Sequence, residues 1–211
     1  MPVTVVMTSG GMDSTVLIWD LVAQGQQPTP LFVNYGQHCH EHELSTLKEV
    51  LPPHLKGSLE VVNISDVYRS AKSAMVLERD LWQDDVKADD LYLPYRTLLL
   101  LSTAAAFAQA CSATSVQSAF INSNHAKEID CSAEFFGRLE AVFGVYGGVS
   151  LLLPYRYLSK YEVARKGLAL GAPIASTFSC QASSQVPCGV CPNCVDRLSA
   201  FRQLRADHEP A

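Results

Sequence analysis

Apolar positions recur along this chain in two rhythms that take turns. Val3–Val6 is a short, nearly continuous run of β-branched residues, the pattern of a strand buried on both faces. After a polar turn, apolar residues return at helical spacing in Val16, Leu17, Trp19, Leu21 and Val22, which predicts a helix over Ser14–Ala23. Pro28 and Pro30 break the chain before a second apolar run, Leu31–Val33. Residues 40–50 predict a helix with acidic residues early and Lys48 late, in the sense the helix dipole favours. Leu59–Ile64 reads as a third short strand, and residues 66–92 as a charged, weakly periodic excursion expected to carry little core. A long alanine-rich helix (Leu98–Ala110), a strand (Ser115–Phe120) and a helix near Cys131–Phe143 follow. Leu151–Leu153 is expected to be the last core strand, with helix Lys160–Leu170 behind it. Strands alternating with helices of about ten to fifteen residues imply right-handed βαβ units. The expected class is therefore α/β, a mainly parallel sheet flanked by helices.

The totals narrow this picture. A chain of 211 residues suits one domain over 1–211 with a sizeable core. Although 48% of the residues are hydrophobic, no apolar run approaches membrane-span length. The first apolar run leads straight into a glycine turn, without the cationic start and cleavage site of a signal peptide, so a cytoplasmic protein with no membrane partner is expected. The net charge of −5 argues against broad binding to nucleic acid but leaves room for a local basic pocket.

The turn between the first strand and first helix reads TSGGMDST, residues 8–15. In open α/β sheets ligands bind beyond the carboxyl ends of the strands, where this turn sits. Paired glycines let backbone approach a ligand, and the following helix aims N–H groups and its positive end at the same spot. Ser9, Ser14 and Thr15 add hydroxyls, and Asp13 is suited to a magnesium ion. Phosphate binding is the chemistry this arrangement suits. The turn lacks the spacing and lysine of a Walker A loop and is not G-x-G-x-x-G. A purely structural helix start, with glycines for packing and a Ser or Asp cap, is the competing use.

Seven cysteines are present, four of them crowded into CQASSQVPCGVCPNC. Cys180, Cys188, Cys191 and Cys194 form a C-x7-C-x2-C-x2-C array, the ligand pattern of a closed, tetrahedral structural zinc site. Such binding contributes on the order of ten kcal/mol to local ordering in small zinc peptides. An iron–sulfur cluster is the competing use of four cysteines. Cys39, Cys111 and Cys131 are expected to be small core hydrophobes, and His38, His40 and His42 a solvated helix start.

S-G-G-M-D-S resembles the SGGxDS signature of the ATP pyrophosphatase (PP-loop) enzymes. Combined with the C-terminal cysteines, the chain resembles the QueC family of 7-cyano-7-deazaguanine synthases over most of its length. Asn34-Tyr35-Gly36-Gln37 is similar to that family's (D/N)YGQ, and Leu93-Pro94-Tyr95-Arg96-Thr97 falls where it has VPGRN. Asp130-Cys131 with Glu134-Phe135 resembles YPDCRxEF, Lys160 begins a KxE helix start, and Thr177–Cys180 opens the metal region, residues 177–203.

The resemblance implies a Rossmann-like PP-loop fold and a ligase that adenylates the carboxylate of 7-carboxy-7-deazaguanine with ATP. Ammonia then gives the amide, and a second ATP drives dehydration to the nitrile. Carried over by position, Ser9, Gly10, Gly11, Asp13, Ser14 and Thr15 would hold ATP and Mg2+. Arg96 and Lys160 would join Asp13 in catalysis by neutralising phosphate charge, with an ion pair as the competing role of each. Tyr35, Gln37, Asp130 and Glu134 would contact substrate. A homodimer is also implied. The chain departs from the family at Tyr95 and Thr97, at Glu128-Ile129 and at Ser132, all near the implied substrate pocket. These departures keep open a second acceptor, a protein amine on a partner, as in QueC-like paralogues of type IV CBASS antiviral defence. An ATP-free scaffold module stands as the non-enzymatic alternative.

Overall fold

The computed structural model describes residues 3–78, 88–121, 131–183 and 185–208. Five strands form a single sheet: β1 (Thr4–Met7), β2 (Thr29–Asn34), β3 (Glu60–Asn63), β4 (Ser115–Gln117) and β5 (Ser150–Leu152). Their spatial order is β3-β2-β1-β4-β5, and every neighbouring pair is parallel. The chain winds outward from β1 in one direction, then returns to its other side. That reversal places a topological switch point between β1 and β4, where α/β sheets open a crevice for ligands.

The period-two alternation of the strands divides the core in two. Val6 and Phe32 point to one side, packed with Val16, Leu17 and Leu21 of α1 (Met12–Ala23), Leu47 of α2 (His40–Val50) and Val163 and Ala164 of α5 (Lys160–Ala169). Val5, Leu31, Val33 and Val116 point to the other. There they meet Leu101, Ala104 and Ala108 of α3 (Arg96–Ala110) and Phe136, Leu139 and Phe143 of α4 (Ala133–Gly147). α5 begins at a capping box: Ser159 Oγ accepts from Glu162 N–H while the Glu162 carboxylate accepts from Ser159 N–H. It lies close to α1 because Gly167 has no side chain; a Cβ there would stand 2.6 Å from methyl groups of Val16 and Ile174.

Four expectations change. A sixth helix, α6 (Pro192–His208), grows out of the cysteine array and packs on α5 through Ala200 and Leu204, whereas only a metal region was expected there. β4 stops at Gln117, and α4 starts after the Ser132 cap, so Cys131 precedes the helix. The excursion carries core after all: Tyr68, Ala74, Met75, Leu91 and Leu93 bury themselves with Tyr35. Residues 79–87 of it lie outside the described residues. Finally, Cys111 is exposed at the end of α3, where its thiol donates to the Ala108 carbonyl, and is not a core residue.

Candidate nucleotide site

The loop after β1 holds its own shape. Ser9 N–H donates to Ser14 Oγ at 3.2 Å, the two hydroxyls lie 3.3 Å apart, and Ser14 Oγ donates to the Gly11 carbonyl. Gly11 is the N-cap of α1 and brings no side-chain acceptor, so the N–H groups of Asp13 and Ser14 and the helix's positive end remain available to an anion. Gly10 serves packing instead. Its φ of +72° is left-handed, and a Cβ there would lie 2.6 Å from the Glu43 carbonyl oxygen of α2. Gly10 and Thr15 do not line the cavity described below; Thr15 is buried in α1 with its hydroxyl unpartnered.

A cavity of about 380 Å3 opens over the switch point. Ser9, Gly11, Asp13 and Ser14 line one end, together with Lys160 from the first turn of α5 and Arg96 from the first turn of α3. Lys160 Nζ lies 2.7 Å from Asp13 Oδ2, with both side chains mostly buried. This is an ion pair, but one built into the loop and not a surface pair. The other carboxylate oxygen, Asp13 Oδ1, is buried with no protein partner. A hard, unpartnered oxygen beside a phosphate-binding loop fits Mg2+.

The far end of the cavity is walled differently. Tyr35 packs edge-on against Tyr68, and the charge of Arg96 acts on its hydroxyl. Burial pushes the Tyr35 hydroxyl far up, so it stays a phenol. Gln37 is buried and uses its amide internally: Tyr35 N–H donates to Oε1 at 3.0 Å, and Nε2 donates to Glu43 Oε2 at 2.9 Å. Glu43 also lines the cavity, and sequence reasoning did not single it out. Burial, opposed by hydrogen bonds from Gln37 and Cys39 and by the charge of Arg96, raises its carboxyl to about 7. The signal lay in its place one turn into α2, directly after the Tyr-Gly-Gln segment. Met75, Leu91, Leu100 and Phe120 supply apolar wall, and Cys131 reaches the cavity beside Thr97, 3.8 Å from its hydroxyl. Glu134 is elsewhere, on the exposed face of α4 in an ion pair with Arg138. Asp130 lies outside the described residues. Tyr95, at the position that corresponds to the family's glycine, is 74% exposed and held at φ 58° as the N-cap of α3.

The four cysteines of the array do meet. The Sγ atoms of Cys180, Cys188, Cys191 and Cys194 all lie within 4.8 Å of one another. Tetrahedral Zn–S bonds would set them roughly 3.8 Å apart, so the cluster fits zinc with little movement. The region is tied to the loop. Phe178 N–H donates to the Gly10 carbonyl at 3.0 Å, and Met12 N–H approaches Ser179 Oγ at 3.5 Å. Arg197 of α6 clasps the preceding turn, donating to the carbonyls of Ile174 and Ala175 and to the Thr177 hydroxyl. The three histidines are not a solvated start. Half-buried, His38 meets the Gln181 carbonyl, His40 the Gln37 carbonyl, and His42 packs at a tilt against the Phe178 ring.

A parallel sheet in this order, a Ser-Gly-Gly loop on its first strand and a cavity at the switch point define an α/β nucleotide-binding protein of the PP-loop kind. The family described as "Queuosine biosynthesis protein QueC" matches residues 3–205, and the chain belongs to that family. It is 31% identical over 220 residues to a 7-cyano-7-deazaguanine synthase of Methanoregula boonei, covering 98% of this chain and 99% of the relative. It is 32% identical to one from Methanospirillum hungatei, covering 95% and 94%. A solved 4-thiouridine synthetase, in complex with RNA and bound ATP, matches with a TM-score of 0.54 at 14% identity. The match covers 98% of this chain and 53% of that longer one, and the likeness is one of fold alone. Among the described residues, no helix is long and apolar enough to cross a membrane.

Proposed function

We propose that this chain is an ATP-dependent carbon–nitrogen ligase that converts 7-carboxy-7-deazaguanine, by way of the amide, to 7-cyano-7-deazaguanine. The observation that carries this reading is one cavity in which the loop residues, the Asp13–Lys160 pair and Arg96 surround the same space. Family membership and the names of the relatives support the deazaguanine as substrate. One domain over residues 1–211, with 177–203 as its metal-binding part, is supported by the single sheet that takes in all five strands.

Ser9, Ser14 and the N–H groups at the start of α1 receive the β- and γ-phosphates of ATP. Arg96 and Lys160 stabilise the charge that builds on the α-phosphoryl group as the substrate carboxylate attacks it. Asp13 keeps Lys160 in place and offers its second oxygen to Mg2+, which when bound would neutralise charge on the departing pyrophosphate. The apolar far wall receives the planar heterocycle. The four cysteines would hold a structural zinc ion, and Phe178 and Ser179, just before Cys180, lie against the loop.

Mass spectrometry of a reaction with ATP, magnesium, 7-carboxy-7-deazaguanine and ammonium tests the proposal. AMP, pyrophosphate, the amide and then the nitrile are expected. Absence of AMP release with the deazaguanine would overturn the reading. Product mass appearing on an added protein would move the acceptor from ammonia to a protein amine.

A further inference from the structure

Nitrogen transfer needs something that adenylation does not: a group to take protons from nitrogen. Ammonia is ammonium at neutral pH, and it becomes nucleophilic only after losing a proton. The cavity contains several titratable side chains, and most are committed. Asp13 is bridged by Lys160. Burial pushes the Tyr35 hydroxyl far up, and likewise the Cys39 thiol one turn before Glu43, so neither gives an anion; the Cys131 thiol on the wall lies beside the Thr97 hydroxyl. No histidine lines the cavity among the described residues.

Glu43 is placed differently. It enters from α2, lines the cavity, and abuts the loop through its own carbonyl, the atom against which Gly10 packs. Its carboxylate is oriented by neutral donors. Gln37 Nε2 donates to Oε2 at 2.9 Å, and Gln37 is itself fixed by Tyr35 N–H. The Cys39 thiol, one turn before it, also favours its charged form. The one cation that acts on it is Arg96, from α3 across the cavity, and no cation is bonded to it directly among the described contacts. A carboxyl with neutral partners, raised to about 7, accepts and releases protons near neutral pH.

We propose that Glu43 is the general base of the nitrogen-transfer steps, a proposal that rests on the ligase reading above. In the first step its carboxylate takes a proton from ammonium. The freed lone pair forms the N–C bond to the acyl adenylate, the C–O bond to AMP breaks, and AMP departs with that electron pair. The proton remaining in excess on nitrogen follows once Glu43 has released the first to solvent. In the second step the amide oxygen is adenylated by the second ATP. Glu43 takes the two N–H protons one at a time as the C–O bond to AMP breaks and the C≡N bond is completed.

Adenylation is reversible and proton-neutral at the substrate carboxylate, so isotope exchange between pyrophosphate and ATP, driven by 7-carboxy-7-deazaguanine, reads it without the later steps. Glu43→Gln keeps the size and the Gln37 contact. Its exchange rate is expected within about threefold of the unsubstituted enzyme, while single-turnover formation of amide and nitrile falls by about 10²–10⁴-fold. The rise of the nitrogen-transfer rate with pH through about 7 should vanish in that variant and partly return in Glu43→Asp. Equal losses in exchange and nitrogen transfer would assign Glu43 to binding or structure and overturn the proposal, as would unchanged nitrogen transfer. If the unsubstituted enzyme showed no exchange with the deazaguanine, the substrate reading would fall, and the base role with it.

Discussion

The two ends of the cavity are built on different principles. At the loop end, polar groups are locked to one another both within the loop, Ser9 to Ser14, and across distant stretches of chain, Asp13 to Lys160 and Gly10 to Phe178. Fixed donors and charges of this kind suit phosphate, whose reaction consists almost entirely of placing charge against charge. At the far end, Tyr35, Tyr68, Met75 and Leu91 form a small apolar cluster of their own, with Glu43 and Gln37 as a polar insert. That end has shape and a carboxyl raised to about 7. On the proposed function the loop end would decide whether ATP is used, and the far end on which ring and with which nucleophile.

The sharpest way to break this division is Asp13→Ala. It frees Lys160 and removes the oxygen suited to magnesium, and AMP release should fall by at least about 10³-fold. A variant that still released AMP at near-normal rate would remove Asp13 from the phosphate end. Cys191→Ser tests whether the metal region belongs to that same end. Metal analysis should show its zinc lost, and calorimetry should show ATP affinity reduced about tenfold, because Phe178 and Ser179 lose their anchorage. Unchanged ATP affinity in the metal-free protein would mean that the cysteines stabilise their own region alone. The smallest effect is expected at Tyr95, which carries a left-handed backbone at the rim with little packing to lose. Tyr95→Gly should raise stability by about 0.5–1 kcal/mol in denaturant unfolding and leave turnover within about twofold.

Much of the loop itself, and of the cysteine array, can be read from local sequence, because the parts of each lie close together along the chain and are chemically unusual. The Ser-Gly-Gly turn lies between a β-branched run and a helical one, and the cysteines carry their own spacing. The far end is less legible. Glu43 is one of two acidic residues in the first turn of a polar helix, and only the packing of α2 under the loop turns it toward the cavity. The excursion shows no period because its apolar residues meet Tyr35 through tertiary contact, not through a regular element. Helix α6 was hidden for a related reason. Its first turn belongs to the metal cluster, and its buried side is as slight as Ala200 and Leu204. Glu134 is the opposite case, a position matched by motif whose side chain lies on solvent with Arg138.

The hydrogen bond from Phe178 N–H to the Gly10 carbonyl joins residues far apart in the sequence. During synthesis the Ser-Gly-Gly turn leaves the ribosome long before the residue that pins it. A nascent chain thus carries the loop's whole signature well before its last tie can form. The loop's final shape waits on residues translated much later than the loop itself.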